Sequence, residues 1–223
     1  MKITVLGDIH GRWNTVKKIV TQEALDNGVI LTVGDLCNYH FDFLNFEQKF
    51  IFVWGNHESQ SFLKEKINQQ TKKDKAYILT PGEIYTLTDG TTIAGLSGVY
   101  SQRFYSSSER PLKFYGQEDV EKMKTLSDID ILLFHEAPSG IGVTKNGEKL
   151  GRSEITDIIE AVQPKIVFFG HHHVSFDGQL GKTRIIGLPQ PKHGYVTFDT
   201  LKFQPEKVDA QMHEGAWKYG WEQ

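Results

Sequence analysis

Near its amino end the sequence reads Lys-Ile-Thr-Val-Leu-Gly-Asp-Ile-His-Gly over residues 2–11. A short apolar run, Lys2–Leu6, stops at a glycine, and two side chains of types that bind metal ions follow it, Asp8 and His10. The run lacks the polar alternation of a half-exposed strand, so it predicts a strand buried on both faces. Such a strand is typical of a sheet that is covered by helices.

Four further apolar runs share this character and predict buried strands over Val29–Val33, Phe50–Trp54, Ile129–Phe134 and Lys165–Phe169. Helical patterns lie between the runs, over Trp13–Leu25, Glu118–Leu126 and Ser153–Val162, where Ser153 is a candidate cap. Two other stretches contain turn dipeptides such as Asp89-Gly90 and predict hairpins, over Ala76–Leu96 and Thr183–Phe198. Buried strands that alternate with helices indicate an α/β fold.

Composition and charge place few constraints on function. The 223 residues carry a formal charge of −3, which gives no general attraction to nucleic acid or to anionic membranes. The single cysteine excludes an internal disulfide and fits a reducing compartment. No apolar stretch is long enough for a signal peptide or a membrane span, so we expect a cytoplasmic protein that does not bind membranes.

Polar side chains of metal-ligand type follow each of the five buried runs. In chain order they are Asp8 and His10, then Asp35, then Asn56-His57-Glu58, then His135, then His171-His172-His173. Alone, the Asp-x-His and Gly-Asp blocks are common in ordinary turns and the histidine run could arise by chance, while Gly-Asn-His-Glu is moderately specific. Because ligands bind beyond the carboxyl ends of strands in open α/β sheets, five such blocks in order indicate one site. Carboxylate, imidazole and amide donors suit Mn, Fe, Zn, Ni or Co.

The five blocks resemble the signature of the calcineurin-like metallophosphoesterases: Asp-x-His, Gly-Asp, Gly-Asn-His-(Asp/Glu), His and Gly-His-x-His. The matching blocks span Asp8 to His173, about three quarters of the chain. The resemblance implies a four-layer α/β/β/α sandwich, with two mixed β-sheets flanked by helices. We expect this domain to span residues 1–200, and residues 201–223 to form a carboxy-terminal strand and tail docked on it.

The resemblance also implies roles for the blocks. Two divalent or trivalent metal ions would be held, one by Asp8, His10 and His173 and the other by Asn56, His135 and His171, with Asp35 bridging them. His57 would contact the phosphate and protonate the leaving oxygen, and Glu58 would orient His57. His172 takes the variable position of its block and is not expected to be a ligand. Hydrolysis would proceed by in-line attack of a metal-activated hydroxide, without a covalent enzyme intermediate.

The substrate is less well indicated. The segment after Asp35 lacks the arginine of the related serine/threonine phosphatases, which argues against that branch. Three segments resemble RNA lariat debranching enzymes: Gly55–Leu63, Ala94–Tyr100 and His135–Pro138. Those enzymes usually have cysteine at the position of Asp8. The resemblance favours a phosphodiesterase acting on a nucleotide or nucleic acid. The alternatives are a phosphomonoesterase for a small metabolite or phosphoprotein, and a catalytically silent metal-binding scaffold.

Residues outside the blocks are candidates for contact with substrate. Arg103, Tyr105 and Arg110 lie in an irregular stretch, Ser101–Lys113, and arginine grips phosphate with two hydrogen bonds. The competing interpretation of this stretch is a solvated loop. His40 could reach the mouth of the site or lie on the surface. Three residues belong to no block: Cys37 is expected to be a small buried residue and His193 structural or exposed, while Trp217 lies in an aromatic tail whose contacts the sequence does not indicate.

Overall fold

The computed structural model describes residues 1–23, 28–36, 46–141 and 150–209. Its twelve strands in these ranges are β1 Lys2–Leu6, β2 Val29–Thr32, β3 Lys49–Phe52, β4 Ala76–Ile78, β5 Tyr85–Thr86, β6 Thr92–Leu96, β7 Ile131–Phe134, β8 Ile166–Phe169, β9 Phe176–Leu180, β10 Thr183–Gly187, β11 Tyr195–Asp199 and β12 Glu206–Val208. Its four helices are α1 Trp13–Gln22, α2 Gln60–Gln69, α3 Gln117–Lys124 and α4 Ser153–Val162.

The described strands form two mixed sheets of six strands each. The first sheet has the order β12-β11-β1-β2-β3-β4, in which β1 to β4 are parallel and β11 and β12 run antiparallel to their neighbours. The second has the order β5-β6-β7-β8-β10-β9, in which β6, β7, β8 and β10 are parallel. Parallel strands end at the same edge, so each sheet directs several strand ends to one side of the molecule.

The core has three layers because successive residues of a strand point to opposite faces. In β7, Ile131 and Leu133 join the core between the two sheets, while Leu132 and Phe134 pack against α3 and α4. The outer face of the first sheet packs against helix α1 through residues such as Trp13. Both faces of the central strands are therefore buried, and the predicted α/β/β/α sandwich is confirmed.

Two local predictions were wrong. Ser153 is the first residue of α4 and does not cap it; Arg152 occupies the cap position. Thr183–Phe198 is not a hairpin, since β10 belongs to the second sheet and β11 to the first. The hairpin at Asp89-Gly90 is confirmed, since β5 and β6 pair antiparallel on either side of it.

The carboxy-terminal part continues the first sheet. Strand β12 pairs with β11 at Tyr195↔Val208 and Thr197↔Glu206. The aromatic tail beyond, including Trp217, Tyr219 and Trp221, lies outside the described residues, so its docking stays a prediction. In the described ranges, none of the helices has the length and apolar character needed to cross a membrane.

Candidate metal centre

The predicted ligand residues lie in the loops that follow five parallel strands. Backbone hydrogen bonds tie these loops together: His10 N–H donates to the Asp35 carbonyl at 2.8 Å, and Gly170 N–H donates to the His135 carbonyl at 3.2 Å. Four ligand residues adopt the left-handed backbone conformation, with φ between 46° and 64°: His10, Asp35, His171 and His173. Such conformations are costly without glycine and concentrate at functional sites.

The first ligand group consists of Asp8, His10 and His173, whose ligating atoms all lie within 4.8 Å of one another. His173 Nε2 is 2.9 Å from Asp8 Oδ2 and 3.1 Å from His10 Nε2. Asp8 is fully buried and accepts the backbone N–H of His171. Burial alone would raise the pKa of Asp8, but the hydrogen bond from His173 and the charge of His135 lower it, so Asp8 is an ionised donor.

The second group consists of Asp35, His135 and His171, whose ligating atoms again lie within 4.8 Å. Asn56 joins this group, because its Oδ1 is 3.2 Å from His135 Nε2. Burial, followed by the charge of His135, lowers the pKa of His171 to about 3, so its imidazole is neutral and can bind a metal ion. The structure thus brings together the residues that the sequence predicts for the second ion.

Asp35 faces both groups. Its Oδ2 lies 3.8 Å from His10 Nε2 and 3.6 Å from His135 Nε2. Its other oxygen, Oδ1, accepts the backbone N–H of His57 at 3.0 Å, which fixes the carboxylate between the groups. A carboxylate has enough lone pairs to serve two cations.

The surroundings of His135 fit a metal ion. Its Nδ1 lies 2.7 Å from the Val33 carbonyl, which can only accept, so Nδ1 carries the proton and donates it. Its Nε2 then points at oxygens of Asn56 and Asp35. A bare imidazole nitrogen facing two acceptors is unfavourable, so a proton or a metal ion belongs at Nε2; burial opposes the proton, but the carboxylates of Asp8 and Asp35 raise the pKa of His135 overall. A second ring nitrogen bonded to a backbone carbonyl is also the usual arrangement of a ligating histidine.

Two glycines, Gly55 and Gly170, leave space for the carboxylates of Asp35 and Asp8. A Cβ on Gly55 would lie 2.2 Å from Asp35 Oδ1 and 2.6 Å from His135 Nε2. A Cβ on Gly170 would lie 2.2 Å from Asp8 Oδ1. Any side chain at these positions would push a ligand out of place, which explains why glycine precedes the polar block at both strand ends.

His57 and Glu58 are adjacent in sequence but lie in different surroundings. His57 is exposed, and its ring centroid is 5.5 Å from that of His10. Glu58 is buried, and its oxygens accept the backbone N–H groups of Leu36 at 2.6 Å and Gly55 at 2.8 Å. Burial, together with the charge of Asp35, raises the pKa of Glu58 to about 8. Among the described contacts Glu58 joins two ligand loops and has no bond to the His57 ring, which does not support its orienting His57.

The remaining predicted residues lie apart from the two groups. His172 is half-buried and belongs to neither group. Arg110 pairs with Asp119, and the exposed Arg103 lies 5.1 Å above the Phe104 ring. Tyr105 packs beside Tyr100 at 5.2 Å. In the described ranges none of these three has a hydrogen bond, ion pair or ring contact with a ligand residue. His40 and Cys37 lie outside the described residues.

Sequence reasoning missed two polar residues beside the first group. The guanidinium of Arg12 donates to Gln190 Oε1 at 3.0 Å, and Gln190 Nε2 is 3.4 Å from His173 Nδ1. Arg12 comes one residue after the first block, so its position was a usable signal. Gln190 lies in the connection between β10 and β11, where no motif marks it.

Comparison with known families agrees with this geometry. The family model described as calcineurin-like phosphoesterase matches residues 1–175 of the chain. The chain is 26% identical to the lariat debranching enzyme of Arabidopsis thaliana, over 96% of this chain and 66% of that protein. It is 27% identical to the lariat debranching enzyme of Drosophila pseudoobscura pseudoobscura, over 56% of this chain. The chain spans only 28% of the length of this second relative.

Solved structures share the fold. The chain resembles a protein of Thermus thermophilus, TT1561, with a TM-score of 0.70 and 15% identity, over 94% of this chain and 99% of that one. It also resembles an archaeal phosphodiesterase with a TM-score of 0.50 and 13% identity, over the same shares of each chain. At these identities the likeness shows the architecture alone.

Proposed function

Because the chain belongs to the calcineurin-like phosphoesterase family, and is therefore a phosphoester hydrolase, we propose that it hydrolyses phosphodiesters of a nucleotide or nucleic acid at a centre of two metal ions. The observation that carries this proposal is the placement of Asp35 between two ligand groups, 3.8 Å from His10 and 3.6 Å from His135. The similarity to lariat debranching enzymes supports a diester rather than a monoester.

Each of the two groups is assigned to one metal ion. Asp8, His10 and His173 would hold one ion, while Asn56, His135 and His171 would hold the other, and Asp35 would serve both. When bound, two such ions lower the pKa of a water and neutralise charge on the phosphoryl oxygens. The ligand set accepts Mn, Fe, Zn, Ni or Co.

His57 supplies the proton for the leaving oxygen. It is exposed at the site, and its backbone N–H is fixed by Asp35 while its ring lies beside that of His10. His57 is not assigned as a ligand, because the first group consists of Asp8, His10 and His173. Water attacks in line, opposite the leaving oxygen, and no covalent enzyme intermediate forms.

The test is a comparison of a generic chromogenic diester, bis(p-nitrophenyl) phosphate, with p-nitrophenyl phosphate under added Mn²⁺. We expect turnover of both, with the higher kcat/KM on the diester. A higher value on the monoester would replace the diesterase by a phosphomonoesterase. No turnover of either by protein that has bound metal would leave a metal-holding scaffold.

The same assay tests His57. We expect His57→Ala to lower kcat on the diester by about 10²–10⁴-fold, because a general acid contributes that much, while the metal content stays unchanged. Asn56→Ala is the matched comparison, since removal of a neighbouring ligand should lower the metal content. If His57→Ala also lost metal, its assignment as a proton donor outside the ligand set would be wrong.

A further inference from the structure

Arg12 lies at the edge of the metal centre with a fixed backbone. It occupies the cap position before α1, directly after the loop of His10, and its N–H donates to the Ile9 carbonyl at 3.0 Å. The preceding residue, Gly11, donates to the Leu36 carbonyl at 2.8 Å. The side chain is half-buried, so the guanidinium projects from a rigid base beside the first ligand group.

Gln190 holds the guanidinium in place. Its Oε1 accepts from Arg12 at 3.0 Å, and the turn that carries it is closed by a hydrogen bond from His193 N–H to the Gln190 carbonyl at 2.8 Å. The turn packs tightly on the loop after β1: a Cβ on Gly7 would lie 2.0 Å from the Pro189 carbonyl oxygen. Arg12 is therefore oriented before any substrate binds.

The contact of Gln190 with His173 locates Arg12 relative to the ligand atoms. His173 Nε2 faces Asp8 and His10, whereas Gln190 approaches Nδ1 on the other side of the ring. Among the described contacts, the Arg12 guanidinium connects to the ligand group through Gln190 and touches no ligand residue. A group bound by Arg12 would then lie beside the reacting phosphate.

Arg12 lacks an anionic partner in the described part of the chain. Three other arginines there pair with a carboxylate: Arg110 with Asp119, Arg152 with Glu136 and Arg184 with Asp177. Arg12 uses one of its five N–H donors on the neutral amide of Gln190. Burial, and then the positive charges of Lys192, Arg12 and His173, lower the pKa of His193, which closes the turn of Gln190.

We propose that Arg12 binds a second phosphate of the substrate, adjacent to the one that is hydrolysed. The planar guanidinium forms paired hydrogen bonds to phosphate oxygens and is the usual residue for this purpose. The inference rests on the proposed diesterase activity and makes its substrate class narrower: a short nucleotide chain that carries a further phosphate beside the scissile diester. Gln190 acts as a positioning residue for Arg12.

The experiment compares three substrates with the same scissile bond: thymidylyl-thymidine without a terminal phosphate, with a 5′ phosphate and with a 3′ phosphate. We expect the manganese-loaded wild type to have a lower KM for at least one phosphorylated form. Arg12→Ala should raise that KM by about 10-fold or more, as loss of a charged hydrogen-bond pair implies, with kcat within about twofold. The KM for the unphosphorylated form should not change.

Further variants separate binding from folding. Arg12→Lys keeps the charge without the paired geometry and should lie between wild type and Arg12→Ala. Gln190→Glu should pair with Arg12 and also raise the KM for the phosphorylated form. Lys18→Ala, which removes an exposed charge from the same helix, should change nothing. Metal content, measured by elemental analysis, should equal that of wild type in the Arg12 variants.

The outcomes are distinguishable. An equal effect of Arg12→Ala on all three substrates, or no effect, would overturn the role of Arg12 and leave the diesterase intact. Cleavage of bis(p-nitrophenyl) phosphate without cleavage of any dinucleotide would overturn the proposed substrate class. Failure to cleave every diester, or a higher kcat/KM on p-nitrophenyl phosphate than on the diester, would count against the proposed function itself.

Discussion

Gly55 shows how closely the site depends on single atoms. A Cβ there would lie 2.2 Å from Asp35 Oδ1 and 2.6 Å from His135 Nε2, so Gly55→Ala must displace two ligands. We expect the metal affinity of this variant to fall by about 10–100-fold or more, the loss seen when the supports of ligands are disturbed. Isothermal titration with Mn²⁺ measures it.

Gly90→Ala is the control for that substitution. Gly90 has φ 89° and no atom within 4 Å of its ideal Cβ, so alanine there strains the backbone without touching a neighbour. It should reduce the free energy of unfolding by about 1–2 kcal/mol and leave metal affinity unchanged. Equal affinity of Gly55→Ala and wild type would show that the two ligands can move without loss of the metal.

At the scale of residues, the sequence predicted which candidate ligands lie together better than it predicted their supports. Asp8, Asp35 and His135 each follow a buried apolar run, so their convergence could be inferred from strand ends alone. Glu58 belongs to a motif, yet its bonds to Leu36 and Gly55 depend on how two loops meet in space. Gln190 has no motif at all, because its role comes from a turn that packs beside His173.

Among the elements, the β5–β6 hairpin is fastened to the end of β11 by one carboxylate. Asp89 accepts Thr200 Oγ1–H at 2.6 Å and Thr91 N–H at 3.0 Å. Partial burial would raise the pKa of Asp89, but these hydrogen bonds lower it to about 2. A lowered pKa means that ionised Asp89 stabilises the folded state above its unfolded pKa of 3.8, and that this stability is lost as pH falls toward 2.

We therefore expect Asp89→Asn to lower the free energy of unfolding by about 1 kcal/mol at pH 7, a value reduced because the carboxylate is partly in water. The difference from wild type should persist to about pH 5 and shrink below pH 4. Urea unfolding at several pH values measures it. Glu65→Gln, at an exposed position of α2, is the matched loss of charge and should have little effect. A difference that is independent of pH would contradict the assigned cause.

Whether a segment forms a strand was easier to predict than which strands it pairs with. The apolar runs predicted β1, β2, β3, β7 and β8, because a strand that is buried on both faces is apolar at nearly every position. Composition does not say which sheet a strand joins, so β10 and β11 were predicted as a hairpin although they lie in opposite sheets. Ser153 was predicted to cap α4 from residue type alone, but the backbone turns at Arg152.

For the whole molecule, the candidate metal centre lies where the two sheets meet. Asp8, Asp35 and Asn56 follow strands of the first sheet, whereas His135 and His171 follow strands of the second. Metal bound across this boundary should stabilise the entire sandwich. With Mn²⁺ at about 100 times its Kd, the gain is about 2.7 kcal/mol, or about 5–10 °C in Tm for a chain of this size.

Calorimetry with and without chelator measures this effect. Removal of the metal should lower the Tm and should accelerate amide exchange at the site ends of both sheets together. Asp35→Asn, which alters the residue between both groups, should show no change in Tm on chelation. A Tm that chelation leaves unaltered in wild type would mean that the two sheets hold together without the ions.

The position of β1 has a consequence for how the chain is made. This first strand lies inside its sheet, with β2 on one side and β11 on the other, and Lys2 pairs with Asp199. During synthesis its second edge stays unpaired until β11 has left the ribosome. The nascent chain therefore carries an open, apolar strand edge while residues 33–194 are made, and such an edge can pair with other chains during this interval.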